Sequence, residues 1–135
     1  MVQLVRSLGV HKPDETPCGQ PVSIAEAHAL LEIGNETGLT QNGLCARLRL
    51  EKSTVSRVAG MLERRGWIRR LRDAHDARFV RLHLTQRGIK ANATIGASRR
   101  AMFAGIFAAI PAERRAELVD SLSLLLDATA QRAPR

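Results

Sequence analysis

One predicted helix near the middle of the chain carries, on its polar face, short hydroxyl side chains beside one long guanidinium. These residues are Ser53, Thr54, Ser56 and Arg57. Short hydroxyls allow a helix backbone to approach a partner closely, and an arginine reaches a guanine edge or a phosphate. The opposite face is apolar at helical spacing, which predicts burial, and its residues are Val55, Val58, Ala59 and Leu62. This two-sided pattern favours a helix that enters a DNA major groove over an inert polar surface.

A short helix is predicted just before this one, and a tight turn joins the two. Thr40 is the expected cap of the short helix, and Leu44, Cys45 and Leu48 fall on one of its faces. Leu50 lies in the turn, where it can fill the space between the helices. Two helices joined in this way favour the docking geometry of a helix-turn-helix.

A charged β-hairpin is predicted directly after the second helix. Alternating apolar residues predict strands over residues 67–71 and 79–84, with Val80, Leu82 and Leu84 on the inner face of the second strand. Arg72 to Arg78 form the flexible tip, and core packing does not explain its charges. An arginine at this tip could enter a minor groove, where narrow A/T-rich segments have enhanced negative potential.

The net charge of the chain is +8, from 21 Lys and Arg against 13 Asp and Glu. The segment from Arg47 to Arg87 holds 12 basic and 4 acidic residues, and the rest of the chain holds 9 of each. All of the surplus therefore lies in one segment, which is the electrostatic footprint expected for a polyanion partner. A solvated basic surface is the alternative that charge alone leaves open.

The remaining patterns predict a mainly α fold around this small β-hairpin. A short helix over Met1 to Gly9 is followed by a proline-rich loop, and Ser23 with Glu26 forms a capping box that begins the next helix. Thr85 is the expected cap of a long helix to about Ala109, and a last helix follows it. Two terminal helices this apolar have more apolar surface than one copy covers, which favours dimerisation.

Composition excludes several other classes of function. The chain has 135 residues, enough for one domain with a real core. Aromatic residues make up 3% with no Tyr, which argues against stacking surfaces for single strands or RNA loops. No signal peptide is recognisable and no apolar run is long enough to span a bilayer, so we expect a cytoplasmic protein without a membrane partner. No catalytic grouping and no phosphate-binding loop presents itself, so neither enzyme activity nor a cofactor is expected.

At these residues the chain resembles a known family, the winged helix-turn-helix regulators of the MarR (multiple-antibiotic-resistance regulator) type. The resemblance covers about Ser23 to Ala130, and its most specific part runs from Leu44 to Arg70. The following segment resembles the wing signature of the family, an Asp-x-Arg, alternating apolar residues and a Leu-Thr-x-x-Gly step. In this sequence those residues are Asp76, Arg78, Val80, Leu82, Leu84, Thr85 and Gly88.

The resemblance implies a fold and a set of DNA contacts. The fold is a winged helix-turn-helix with flanking dimerisation helices: residues 1–22 a short helix and loop, 23–88 the DNA-binding domain, and 89–135 the dimerisation helices. The hydroxyl and arginine group named above would lie in the major groove, and Arg78, braced by Asp76, would be the wing arginine, with Arg72 beside it on the wing. Phosphate contacts would come from residues flanking the recognition helix, namely Thr40, Gln41, Arg49 and Lys52.

The resemblance also implies a homodimer that binds a pseudo-palindromic duplex operator. Such a dimer usually represses transcription until a small molecule, an oxidant or a metal alters the spacing of its two heads. An alternative is a winged-helix protein-interaction module, in which the fold is kept and the basic face is incidental. Steep weakening of binding as salt rises would distinguish DNA binding from that alternative.

Candidate sensor residues are few. Cys18 is the sharpest, because a thiol in a polar loop can be exposed and oxidised, although an idle thiol is the favoured reading. Cys45 is expected to be a small core residue. A metal site is not expected, because the spacing of the candidate ligands matches no closed tetrahedral pattern; these candidates are His11, Cys18, Glu26 and His28. We expect His75 to face phosphate on the wing and His83 to face solvent.

Overall fold

The computed structural model describes residues 2–10, 12–73, 76 and 78–131. The helices of the described chain are α1 (Val2–Ser7), α2 (Ile24–Asn35), α3 (Gln41–Leu48), α4 (Lys52–Arg64), α5 (Gln86–Ala108) and α6 (Arg115–Gln131). A short 3-10 turn, Ala112–Arg114, precedes α6, and three strands complete the elements: β1 (Leu39–Thr40), β2 (Ile68–Arg72) and β3 (Val80–Leu84). The prediction of a mainly α chain with a small β-hairpin is confirmed.

The chain forms two compact units, residues 1–99 and residues 100–135. The predicted functional division at residues 22 and 88 stays a prediction. None of the helices in the described ranges is both long and apolar enough to cross a membrane.

The core of the first unit lies between α2, α3, α4 and the sheet. The predicted apolar stripe of α4 is buried along its whole length, which confirms the helical spacing as a core signal. Leu50 is half-buried against this core from its place in the turn between α3 and α4. The buried apolar residues nearest the interior include Leu30, Ile33, Leu44, Val55, Val58, Ala59, Leu62, Ile68, Leu82 and Ile95.

Local capping signals set the helix ends. The capping box at α2 is present, with the Ser23 hydroxyl accepting from the Glu26 amide at 3.2 Å and the Glu26 carboxylate accepting from the Ser23 amide at 3.1 Å. The Thr40 hydroxyl caps α3 by accepting from the Gly43 amide at 3.0 Å. Both predicted caps are confirmed. The α3 helix is capped at its C-terminus by Arg49, whose φ of 53° lies in the left-handed region.

The sheet has a strand that the sequence pattern did not predict. It is antiparallel in the order β1-β3-β2, so β3 lies in the centre and β2 at an edge. β1 has only two residues, and it pairs Leu39 with Leu82 and Thr40 with Arg81. Two residues are too few to show a period of two, and this explains why the strand was missed.

A close contact joins the sheet to α5. The Thr85 hydroxyl donates to the Gly66 carbonyl at 2.6 Å and accepts from the Gly88 amide at 3.0 Å, so it caps α5 as predicted. A Cβ on Gly88 would lie 1.9 Å from the Trp67 carbonyl oxygen, far inside van der Waals contact. Glycine is therefore required here because two backbones meet, and this accounts physically for the Leu-Thr-x-x-Gly step.

Replacing Gly88 with alanine should destabilise the protein by about 3 kcal/mol, because rigid backbone on both sides cannot move to admit a methyl group. Gly60→Ala is the matched control in another helix, where a Cβ would meet only the ends of Arg64 and Arg70, at 3.5 and 3.7 Å. We expect that variant to be neutral or more stable by about 0.5 to 1 kcal/mol. Urea unfolding followed by circular dichroism measures both, and equal stabilities for the two variants would contradict the close contact.

Candidate nucleic-acid interface

The α4 helix presents its polar residues on the side opposite its buried stripe. Ser53 and Arg57 are exposed, and Thr54 and Ser56 are half-buried. Ser53, Ser56 and Arg57 follow the spacing of adjacent helical turns, so they share one face. The structure therefore brings the four predicted groove residues together on one helix surface, with short side chains nearest the N-terminus.

The residues predicted to contact phosphate lie at the starts of α3 and α4 and in the turn between them. Thr40 is half-buried, and its hydroxyl already accepts a bond from the α3 backbone, which leaves its proton available for donation. Gln41 is half-buried as the first residue of α3, whereas Arg49 and Lys52 are exposed. Glu51 caps α4 without a side-chain hydrogen bond, so no side chain of this cap satisfies the first amides of that helix.

The wing arginine is held by a neighbouring carboxylate. Arg78 donates to Asp76 through Nε at 3.0 Å and through Nη2 at 2.8 Å, and the Arg78 amide also donates to that carboxylate at 3.0 Å. Hydrogen bonds from the Arg78 side chain and amide hold the pKa of Asp76 below its ordinary value, and the same side-chain bond raises the pKa of Arg78. The Arg78 side chain is 86% exposed, so the brace fixes its root and leaves its far edge in solvent.

A second carboxylate, which the sequence reasoning missed, organises the base of the wing tip. The Asp73 side chain is 6% exposed and pairs with Arg81 on β3, and it accepts from the Asp76 amide at 3.1 Å. Arg81 in turn donates to the Gly38 carbonyl at 3.0 Å. Asp73 therefore connects the tip to the sheet. An Asp side chain that accepts from a nearby backbone amide is typical of turns, so the local role of Asp73 could have been predicted. Nothing in the sequence indicates that its ion-pair partner is Arg81.

Two expectations about the wing are corrected by the structure, and a third concerns a residue that it does not describe. Arg72 was placed in the flexible tip, but it is the last residue of β2 and pairs with Val80, because the ladder continues one step further than predicted. His83 is half-buried with its ring near Gly38, so the expectation that it faces solvent is wrong. His75, expected to face phosphate, lies outside the described residues.

The basic segment from residue 47 to 87 divides into paired and unpaired cations. Five of its arginines form ion pairs with carboxylates, and these are Arg47, Arg65, Arg70, Arg78 and Arg81. The other seven cations are exposed and make no ion pair within the described ranges; they are Arg49, Lys52, Arg57, Arg64, Arg69, Arg72 and Arg87. All four cations predicted to contact DNA outside the Asp76–Arg78 pair belong to this unpaired group.

A buried carboxylate links the end of α4 to the start of α2. Glu26 is 1% exposed and accepts from Arg65 Nε at 2.9 Å in addition to its bonds with Ser23. Burial raises the pKa of Glu26, but the Ser23 and Arg65 bonds outweigh it and lower the pKa below 4.5. The Arg65 guanidinium also lies 5.2 Å from the centroid of the Trp67 ring, within cation–π distance.

The candidate sensor residues of the described chain do not come together as a metal site. Cys18 is half-buried, and its sulfur lies 3.2 Å from the Thr16 hydroxyl in a turn closed by hydrogen bonds between Thr16 and Gln20. Cys45 is half-buried against the core, as expected. Of the four metal candidates, His11 lies outside the described residues, and Glu26 is already bonded to Ser23 and Arg65. No group of three or more possible ligands occurs in the described part of the chain.

Comparison with known proteins bears on this geometry. The profile of the MarR family matches residues 20–78, the segment that contains α2, α3, α4 and the start of the wing. Over this segment, which is less than half of the chain, the protein is similar to the MarR family. Members of that family are transcriptional regulators rather than enzymes, and the chain has the winged-helix fold of solved MarR-type structures. A comparison with curated protein sequences finds no match.

Solved structures resemble this chain over most of its length. FabT of Streptococcus pneumoniae, in complex with DNA, is 25% identical with a TM-score of 0.76, covering 96% of this chain and 88% of that one. The MepR–DNA complex of S. aureus is 26% identical with a TM-score of 0.71, covering 80% of each chain. PcaV of Streptomyces coelicolor, in complex with its natural ligand, is 25% identical with a TM-score of 0.72, covering 95% and 88%.

Replacing Glu26 with glutamine should lower the free energy of unfolding at pH 7 by about 1 to 3 kcal/mol, because charged hydrogen bonds to Ser23 and Arg65 are lost. The pKa of Glu26 is lowered in the folded state. Its stabilisation is therefore complete above the ordinary carboxyl pKa and is lost as pH falls through the folded value. The difference between wild type and variant should shrink below about pH 4.5.

Urea unfolding at a series of pH values measures this difference. Glu51→Gln is the matched control, because Glu51 is exposed and makes no cap bond. A gap between wild type and Glu26→Gln that stays constant down to pH 2 would show that the carboxylate charge contributes nothing.

Proposed function

We propose that this MarR-type protein is a homodimeric repressor that binds a pseudo-palindromic duplex operator through α4 and the wing. The observation that carries the proposal is the two-sided α4 helix, whose apolar side is fully buried while its other side presents hydroxyls and Arg57. A helix of this kind can enter the major groove without exposing apolar surface. The FabT–DNA and MepR–DNA structures, which share the fold, support the assignment.

The residues divide into three roles in this proposal. Ser53, Thr54, Ser56 and Arg57 read or approach base edges in the major groove. Arg78 enters the minor groove, oriented by its bonds to Asp76. Phosphates are bound by the Thr40 hydroxyl, the Gln41 amide and three unpaired cations. These cations are Arg49, Lys52 and Arg72. A duplex operator as partner supports the cytoplasmic location that the sequence predicts.

The homodimer is supported by exposed apolar surface on the terminal helices. No residue of α6 is buried within the protomer, although the helix is rich in leucine. A helix this apolar gains most of its stability from packing, which here requires another surface. Apolar residues that are at least 39% exposed occur on α1, the end of α5 and α6, and they are Val2, Leu4, Val5, Phe103, Ile106, Val119, Leu122, Leu124, Leu125 and Leu126.

The decisive experiment is selection of bound sites from a random duplex pool, followed by fluorescence anisotropy on the selected operator. Arg78→Ala should weaken operator binding by about 1 to 3 kcal/mol, because a groove contact is lost. Lys52→Ala should weaken operator and scrambled duplex alike and should lower the slope of log affinity against log salt by about 1 per protomer, because a phosphate contact is lost.

Arg99→Ala is the control for these variants, because it removes the same charge from an exposed position on α5 outside the basic segment. It should leave the operator preference unchanged. Selection that returns no enriched sequence, or affinity that does not fall with salt, would favour the alternative of a protein-interaction module. A monomeric mass in sedimentation at the concentrations used for binding would contradict the dimer.

The first unit contains a cleft that could hold a small effector. A cleft of about 190 Å³ is lined by residues of the loop before α2, the end of α4 and α5, and they are Gln20, Pro21, Val22, Arg65, Trp67, Ala91, Thr94 and Ile95. Pockets for drug-sized ligands are usually about 300 to 1,000 Å³, so this cleft fits only a small molecule. An anion here could pair with Arg65, whose guanidinium is partly exposed and binds Glu26.

An oxidant is the other trigger, and Cys18 would be its target. If Cys18 senses peroxide, Cys18→Ser should retain operator binding while peroxide no longer releases the protein, because serine cannot be oxidised in this way. Cys45→Ser is the matched control and should leave release unchanged. Anisotropy before and after peroxide measures both, and full release of Cys18→Ser would eliminate this trigger.

A further inference from the structure

Arg70 has a place in the sheet that its charge does not explain. The pairing of β2 with β3 sets Arg70 opposite Leu82, on the same face as Ile68, and both of those neighbours are buried. The Arg70 side chain is only 29% exposed, and its Nε is buried without a hydrogen bond. Burying a guanidinium among apolar neighbours is costly unless specific partners hold it.

The partners of Arg70 are both on α4. Its Nη2 donates to the Ser56 carbonyl at 3.2 Å, and its Nε faces the Glu63 carboxylate at 3.3 Å. Gly60 lies between them in sequence, and a Cβ there would be 3.7 Å from Nη2. Ser56, Gly60 and Glu63 follow one stripe of the helix at spacings of four and three residues. The side chain of Arg70 therefore crosses about two turns of α4.

This contact joins the two parts that the proposed function places in different grooves. Ser56 belongs to the proposed reading surface of α4, and Arg70 lies on the wing hairpin that carries Arg78 at its tip. A planar guanidinium can contact a carbonyl and a carboxylate at the same time in a fixed geometry, which a lysine cannot do. The contact with Ser56 is made at the helix backbone, so it does not depend on the rotamer of the Ser56 side chain.

We propose that Arg70 is a positioning residue that fixes the wing against the recognition helix, so that the major-groove and minor-groove contacts are made together. This inference rests on the proposed function, because it assigns Arg70 a role in operator binding without contact to DNA. Loss of the link leaves each DNA contact present but no longer in register with the other. Specific binding falls, and binding to arbitrary duplex is unchanged.

A double-mutant cycle between Arg70→Lys and Arg78→Ala tests this role by anisotropy on the selected operator and a scrambled duplex. Arg78→Ala should weaken operator binding about fivefold or more in the wild-type background and less than about threefold in the Arg70→Lys background. Arg70→Lys keeps the charge, so its affinity for scrambled duplex should not change. Arg70→Met, which keeps the apolar stem, should behave like Arg70→Lys on the operator, and thermal unfolding confirms that both variants fold.

Glu63→Gln tests the same link from the helix side. It removes an acidic charge, so electrostatics alone would tighten binding to both duplexes, whereas loss of positioning weakens operator binding and tightens only scrambled binding. Glu51→Gln is the matched control on the same helix, because it removes the same charge without touching Arg70, and it should tighten both. Additive effects of Arg70 and Arg78, or tighter operator binding by Glu63→Gln, overturn this inference alone. A wild-type protein that prefers no duplex overturns the proposed function as well.

Discussion

The buried carboxylate of Glu26 is the interaction on which the arrangement of α2, α4 and the start of α5 depends. It satisfies the Ser23 cap at the start of α2 and the Arg65 guanidinium at the end of α4. Arg65 lies against Trp67, whose backbone carbonyl accepts from the Thr85 amide at 2.9 Å. One series of contacts therefore runs from α2, past the end of α4, to the beginning of α5. The hydrogen bonds to Ser23 and Arg65 offset the cost of burying this charge, whereas a buried carboxylate without partners would destabilise the fold.

Local features of this fold could be predicted from sequence because each depends on residues within one or two turns. The capping box of Ser23 and Glu26, the Thr40 and Thr85 caps and the buried stripe of α4 are of this kind, and the structure confirms them. The exposure of Arg49, Lys52 and Arg57 could also be predicted, because the same helical period that buries one face of α4 leaves the other in solvent.

The missed features depend on residues that are distant in sequence. Arg65 is 39 residues from Glu26, and Arg70 is 14 residues from the Ser56 carbonyl that it binds. In the sequence all arginines of the basic segment look alike, because periodicity and charge give no indication of which one meets a carboxylate. β1 was invisible for a related reason, since a two-residue strand exists only through its partner β3. The partners of these residues are set by tertiary contacts and not by local propensity.

The four acidic residues of the basic segment show what such pairing achieves. Acids near a polyanion reduce affinity, yet three of the four hold an arginine: Glu63 with Arg70, Asp73 with Arg81 and Asp76 with Arg78. The exception is Glu51, which is exposed at the start of α4 and forms no ion pair in the described chain. In the proposed function the unpaired cations attract phosphate from any duplex, whereas the ion pairs of Asp73 and Asp76 give the wing a defined shape. Under that proposal the acids contribute to the geometry that specific recognition requires, at some cost in general affinity.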